Sequence, residues 1–475
     1  MDIKQKTVNG VIWSAIERFS VQIVQFFVQI IIARLLFPSD YGLISMLAIF
    51  MALAQTFTDG GFSNALIQKK DRNETDYSTV FYFNITVGIF LALIFFFSST
   101  LISDFYNIAK LKLVIQVMSI NLIILSFQVV QKAILTINID FKTQAKASLI
   151  GVCVGAVVGI VLAYKGYGVW ALVFQFTTIN IIQTSLFWYF EPWRPKKVFS
   201  KQSFKKLFSF GSKILSANLL HTIYLNLYTL VIGKQFSATT LGYYSRADQF
   251  AQFPSSNLTG IIWRVSYPIM SSIQDDNQRL KNVYRKYIRL SAFIIFPLML
   301  GLAAMAEPFI IIVLTDKWKG VVPILQILCI YYMFYPLNAI NQNLMQVKGR
   351  SDMFFKLEIV KKIIGIALLF ISLPFGIYYV CLSLIVYAAI NLMLNTYFAS
   401  KLIEFKITDQ IKDLLKIFVL SAIMGVAVYS LNYLETNLII KLLLGVILGV
   451  AIYTSIAYLT KMQEMKELLS LIKKS

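Results

Sequence analysis

The sequence predicts an all-α integral membrane protein. Fourteen transmembrane helices are expected, as two six-helix lobes forming a pseudo-repeat around a central cavity, plus two C-terminal helices. Three observations lead there. Hydrophobic residues make up 58% of the 475, and charged residues only 14%, against about one quarter in soluble proteins. Apolar runs of about 20 residues, enough to cross a bilayer at ~1.5 Å per residue, recur along nearly the whole chain. Lysine and arginine concentrate in alternate connections between those runs, which is the pattern that orients membrane proteins.

In chain order, spans are expected near residues 9–34, 41–60, 78–102, 112–136, 145–164, 168–190, 210–233, 239–268, 286–306, 320–346, 357–375, 377–399, 414–433 and 438–460. Residues 1–197 would form the N-terminal lobe, 198–400 the C-terminal lobe, and 401–475 the last two spans and a tail. With the termini and every second connection taken as cytoplasmic, 29 lysines and arginines fall on that side and 8 on the other. Such an asymmetry implies an even number of spans and two cytoplasmic termini. It also explains the net charge of +21 as orientation in the membrane rather than as a nucleic-acid surface.

The three cysteines, Cys153, Cys329 and Cys381, each lie in an apolar run, and there is one histidine, His221. Neither a disulfide framework nor a multi-histidine metal site is expected. The first residues, MDIKQKTVNG, lead into a polar-studded span without a small-residue cleavage site, so no cleavable signal peptide is expected. A Walker loop is absent, which argues against direct use of ATP. The segment Val198–Phe210 sets Phe204, Leu207 and Phe208 on one face and lysines elsewhere, as an interfacial helix lying on the inner leaflet would.

An internal repeat is visible. Ile31–Met46 (IIARLLFPSDYGLISM) and Val231–Ala247 (VIGKQFSATTLGYYSRA) each end a span with a basic residue, Arg34 or Lys234. Each then makes a short polar turn and opens the next span with a glycine, Gly42 or Gly242. Internal repeats of this kind are common in transporters.

The first span is amphipathic along its length. Ser14, Arg18, Gln22, Gln25 and Gln29 fall within about 80° of one another at 100° per residue, and the other faces are Ile, Val and Phe. A charged side chain this deep in a span marks a site or an ion pair by default; Glu17 or Asp59 could neutralise Arg18. The eighth span carries Arg246, Asp248, Gln249 and Gln252, with Pro254 beyond them. The seventh places Asn218, Thr222, Asn226 and Thr229 on one face, with His221 beside them, where a helix–helix hydrogen bond is the simpler role for the imidazole. Glu358 stands at i+3 and i+4 spacing from Lys361 and Lys362, as a local salt bridge would.

The order Arg34, Pro38, Asp40, Tyr41, Gly42 in ARLLFPSDYGL, followed by Asp59–Gly60 in FTDGGFSNALIQKK, resembles the N-terminal signature of the polysaccharide transporters. These are Wzx-type flippases of the multidrug/oligosaccharidyl-lipid/polysaccharide exporter superfamily. The resemblance implies that the chain flips undecaprenyl-pyrophosphate-linked oligosaccharides to the outer leaflet of the bacterial inner membrane by alternating access, without being an enzyme. Read with it, Arg18, Gln22, Gln25, Gln29, Asn218, Thr222, Arg246, Gln249 and Gln252 are candidates for the substrate cavity. Arginine suits a pyrophosphate, and amides suit sugar hydroxyls. Glu17, Asp59, Asp248 and His221 are candidate charge partners or coupling groups. No cofactor and no metal are expected, and coupling to a proton or sodium gradient or to membrane potential stays open. A glycan polymerase of the same pathway is a candidate partner. Two alternatives share the fold, a lipid II flippase and a multidrug or cation antiporter. The deep arginines weigh against the antiporter, and the short outer connections against a membrane glycosyltransferase.

Overall fold

The structure, a computed structural model, describes the backbone of residues 3–472 and the side chains of residues 13, 14 and 20–467. Among these residues the chain is helical and has no strand. It divides into two compact units, Met1–Gly242 and Tyr243–Ser475.

The first unit holds α1 (Ile3–Leu35), α2 (Pro38–Asp59), α3 (Phe62–Gln68), α4 (Glu74–Tyr106), α5 (Lys110–Ser126), α6 (Val129–Ile137), α7 (Phe141–Tyr164), α8 (Val169–Phe190), α9 (Lys201–Gln235) and the first turn of α10 (Ala238–Ser272). Local chemistry sets its turns. Pro38 opens α2, and the Asp40 carboxylate accepts the Phe37 backbone N–H at 3.2 Å, satisfying a donor at the helix start. At the other end Gly60 and Gly61 both adopt positive φ, +54° and +70°, which lets α2 break into α3 at no steric cost. α7 presents Gly151, Gly155 and Gly159 one turn apart. A Cβ on Gly155 would stand 2.9 Å from the carbonyl oxygen of Gln175, so the missing side chains let α7 lie directly on α8.

The repeat glycines meet. A Cβ on Gly42 would stand 1.8 Å from the Ala238 carbonyl oxygen, and one on Gly242 would stand 1.9 Å from that of Pro38. The two equivalent helix starts therefore touch backbone to backbone through the residues that the sequence alignment pairs.

The segment Val198–Phe210 is not a separate interfacial helix. Ser200 caps α9, its side chain accepting the Ser203 N–H, and the helix then runs unbroken to Gln235. Its first turns are held because they have something to pack on. Leu207 is buried with Phe62, Leu66 and Phe81, and Phe204 lies 5.0 Å from Phe83 and 5.3 Å from Phe208, ring centroid to centroid. The preceding connection is tied to α4 by bonds from Lys196 N to Ser78 Oγ (3.0 Å) and Ser200 N to Thr79 Oγ1 (3.1 Å). With these partners Leu207 is spent inside the protein, Phe204 packs against Phe83, and Phe208 stays 40% exposed.

The second unit continues α10 and adds α11 (Asn277–Ala304), α12 (Ala306–Leu314), α13 (Val321–Tyr332), α14 (Tyr335–Val347), α15 (Ser351–Ser372), α16 (Ile377–Ile403), α17 (Ile407–Tyr429), α18 (Leu438–Leu459) and α19 (Gln463–Ile472). α10 passes through Pro254 and Pro268 as one helix. Tyr243 packs its ring where a Cβ on Gly320 would lie, beside the buried Trp318. Tyr453 of α18 donates to the Phe293 carbonyl of α11 at 2.8 Å.

Each expected span is centred on a helix or on two helices in succession. Among the described residues, eleven helical segments are long and apolar enough to cross a membrane. The described part of α1, Ser20–Leu35, is apolar but shorter than these segments, and α10 and α15 interrupt their apolar sequence with charges or amides. Exposed side chains on the spans are largely apolar, including Phe97 (75% exposed), Val426 (72%) and Leu101 (71%), as a lipid-facing surface requires. The chain is a multi-pass helical membrane protein.

Candidate functional site

In the first unit the polar stripe of α1 faces a groove. Ser14, Gln22 and Gln25 line it with Val21, and the opposite wall is Ser148 and Val152 of α7 with Ile179 and Gln183 of α8. Its volume is about 450 Å³. Gln183 Nε2 donates to Ser148 Oγ at 2.8 Å, which fixes the far wall and leaves amide and hydroxyl groups on both sides. The groove exists because the glycine stripe of α7 brings α8 close. Gln29, one turn beyond Gln25, accepts the Tyr41 hydroxyl on its carbonyl oxygen at 3.4 Å. The side chains of Glu17 and Arg18 lie outside the described residues.

Asp59 ends α2 next to the double glycine, where it takes a hydrogen bond from Ser63 and feels the charge of Lys132. α9 crosses here with almost no separation, since a Cβ on Gly61 would stand 2.4 Å from the Gly211 carbonyl oxygen. Farther along α9, Thr222 Oγ1 lies 3.4 Å from Thr56 Oγ1, and Asn226 Nδ2 donates to the Thr222 carbonyl oxygen at 2.9 Å. Asn218 and His221 are exposed.

In the second unit Arg246 is 7% exposed and its guanidinium donates to Gln249 Oε1. Asp248 accepts the Tyr332 hydroxyl at 2.8 Å. Tyr332 is held in turn, its carbonyl oxygen accepting from Ser255 Oγ at 2.7 Å. Gln249 and Gln252 are exposed. The polar run of α10 thus splits: Arg246 and Asp248 turn toward partners, while the amides stay accessible.

Sequence reasoning missed a buried polar network in the same unit. Tyr284 donates to Asn341 Oδ1 and, at 3.0 Å, to Gln410 Oε1. Asn395 Nδ2 donates to Asn338 Oδ1 at 2.9 Å and to Asn391 Oδ1 at 2.8 Å. Lys361, 2% exposed, donates to Asn395 Oδ1 at 3.3 Å and pairs with Glu358, which also accepts from Gln342 Nε2 at 3.2 Å. The local Glu358–Lys361 bridge was legible from spacing. The rest joins five helices, and its only sequence signal is asparagine recurring in apolar spans.

A helical bundle with amide-lined and cationic positions inside spans has the build of a membrane transporter. The chain belongs to the polysaccharide biosynthesis protein family, which its residues 31–323 match. It is 28% identical over 409 residues to an uncharacterized membrane protein in the cps region of Klebsiella pneumoniae, covering 84% of each chain. It is 27% identical to the lipopolysaccharide biosynthesis protein WzxC of Escherichia coli K12, over 76% of this chain and 74% of that one. In fold it is similar to the lipid II flippase MurJ in an inward closed conformation, with a TM-score of 0.74 at 17% identity, over 94% of this chain and 99% of that chain.

Proposed function

We propose that this protein carries a polyprenyl-pyrophosphate-linked oligosaccharide from the cytoplasmic to the outer leaflet of the bacterial inner membrane, by alternating access and without catalysing a reaction. The observation that carries the proposal is a buried arginine, Arg246, and an amide-lined groove on α1 inside the spans of a fold similar to that of a lipid II flippase. The family and the relatives' names favour a polysaccharide precursor over lipid II or a drug. Arg246, with Arg18, would take the pyrophosphate. Gln22, Gln25, Gln29, Gln249, Gln252, Asn218 and Thr222 would meet sugar hydroxyls, while the polyprenyl chain stays in lipid. Residues 1–197 and 198–400 would act as the two lobes, with fourteen spans and both termini cytoplasmic.

An inside-negative potential favours outward movement of the anion. At ~2.3 kcal/mol per charge per 100 mV, two charges gain about 5 kcal/mol per 100 mV. Coupling to protons or sodium would run through Glu17, Asp59, Asp248 or His221. A glycan polymerase that consumes the flipped unit is the partner the reaction calls for.

Complementation tests the proposal. A strain lacking its own polysaccharide flippase is scored for surface glycan with wild type, Arg18→Ala and Arg246→Ala at matched membrane expression. Wild type should restore glycan, and each variant should lower it at least tenfold. Full rescue by both variants would remove the arginines from the anion site.

A further inference from the structure

We propose that the second unit carries a binding site for an anionic glycerophospholipid of the surrounding membrane, where α11, α17, α18 and α19 meet. A cavity of about 740 Å³ opens there. One wall is an apolar row, Leu415, Val419 and Ile423, spaced one helical turn apart on α17, with Ile456 of α18 beside it. Leu415, Val419 and Ile423 are each about half exposed, so the row is open to an acyl chain. None of the lining residues is among those assigned to the transported substrate.

The other end of the cavity is charged. Arg285, Arg289, Lys416 and Lys461 line it with Asp413 and Glu464, four cations to two carboxylates. Both carboxylates are committed. Arg285 holds Asp413 through two bonds of 2.5 and 2.8 Å. Arg289 Nε holds Glu464 at 2.5 Å and its Nη1 donates to Gln463 at 3.1 Å. Lys286 adds a pair with Glu467 at 3.1 Å, which pins α19 against α11. Lys416 and Lys461 have no carboxylate within 4.0 Å among the described residues. The ion pairs thus build a fixed rim, and the two lysines supply its surplus positive charge.

Those two features select one class of ligand. A phosphodiester headgroup uses the lysines, and an acyl chain uses the apolar row. A zwitterionic headgroup has no net charge to offer the lysines, and a free phosphate makes no use of the row. Basic pockets beside apolar helix surfaces at the membrane interface bind anionic headgroups on these grounds.

The test uses the purified full-length protein in detergent, with lipid binding counted by native mass spectrometry. The probes are phosphatidylglycerol, phosphatidylcholine and inorganic phosphate. Wild type should bind phosphatidylglycerol at least tenfold more tightly than phosphatidylcholine, and millimolar phosphate should not displace it. The double variant Lys416→Gln/Lys461→Gln should bind phosphatidylglycerol about 30-fold more weakly, equivalent to ~2 kcal/mol at about 1.4 kcal/mol per tenfold. Lys416→Arg/Lys461→Arg should keep the wild-type affinity, which separates charge from misfolding. Equal binding of the two lipids, full affinity in the glutamine variant, or displacement by phosphate would each overturn the proposal.

Discussion

Lys361 shows what a single residue inside a span requires. The residue is 2% exposed, and its ammonium lies among Glu358 and Asn395. An unpaired ion there would be costly, so the pair and its amides are retained together. Lys361→Met leaves the Glu358 carboxylate without its counter-ion. Breaking a fully buried pair costs about 3–5 kcal/mol; Glu358 keeps some exposure, its side chain being 29% accessible, so about 2 kcal/mol is expected. The thermal inactivation midpoint in detergent should fall for Lys361→Met and largely recover in Glu358→Leu/Lys361→Met. An unchanged midpoint in the single variant would show that the pair contributes nothing. The candidate site divides on the same logic. That Ser14, Gln22 and Gln25 share a face was legible because periodicity alone places residues on one side of a helix. That Gln22 and Gln25 face Ser148 and Gln183 was not, since it depends on α7 and α8 packing through glycines far along the chain.

At the scale of elements, the spans were legible because lipid imposes length and apolarity on each helix separately. What packs on what was not. The face of Phe204, Leu207 and Phe208 reads equally well as a membrane-surface helix or as a packed helix start, and only the presence of Phe62 and Phe83 decides it. The nine-residue α12 is too short to stand out beside the longer run before it. Glycines carry the opposite lesson. Gly42 and Gly242 stood out only as equivalent positions of a repeat, and they prove to be one contact, with a Cβ on either driven into the other helix's backbone. Gly42→Ala and Gly242→Ala should each lower the thermal midpoint by several degrees. The double variant should lose clearly less than the sum, because residues in one contact do not add. Strict additivity would mean that the two glycines serve separate purposes.

At the scale of the molecule, composition and the distribution of lysine and arginine specify a multi-pass helical protein, and the family is that of polysaccharide biosynthesis proteins. The polar positions are few against that apolar background, and they are what distinguish a carrier from a scaffold. In the proposed function they move a lipid-linked glycan across the bilayer. The direct measurement is transbilayer transfer of a polyprenyl-pyrophosphate oligosaccharide in proteoliposomes of the purified protein, read by access of an added glycan-modifying enzyme to the outer leaflet. Wild type should expose lipid initially confined to the inner leaflet at least tenfold faster than protein-free vesicles, and Arg246→Ala should lose most of that rate. Transfer no faster than in protein-free vesicles, from protein that retains its fold, would overturn the proposed function.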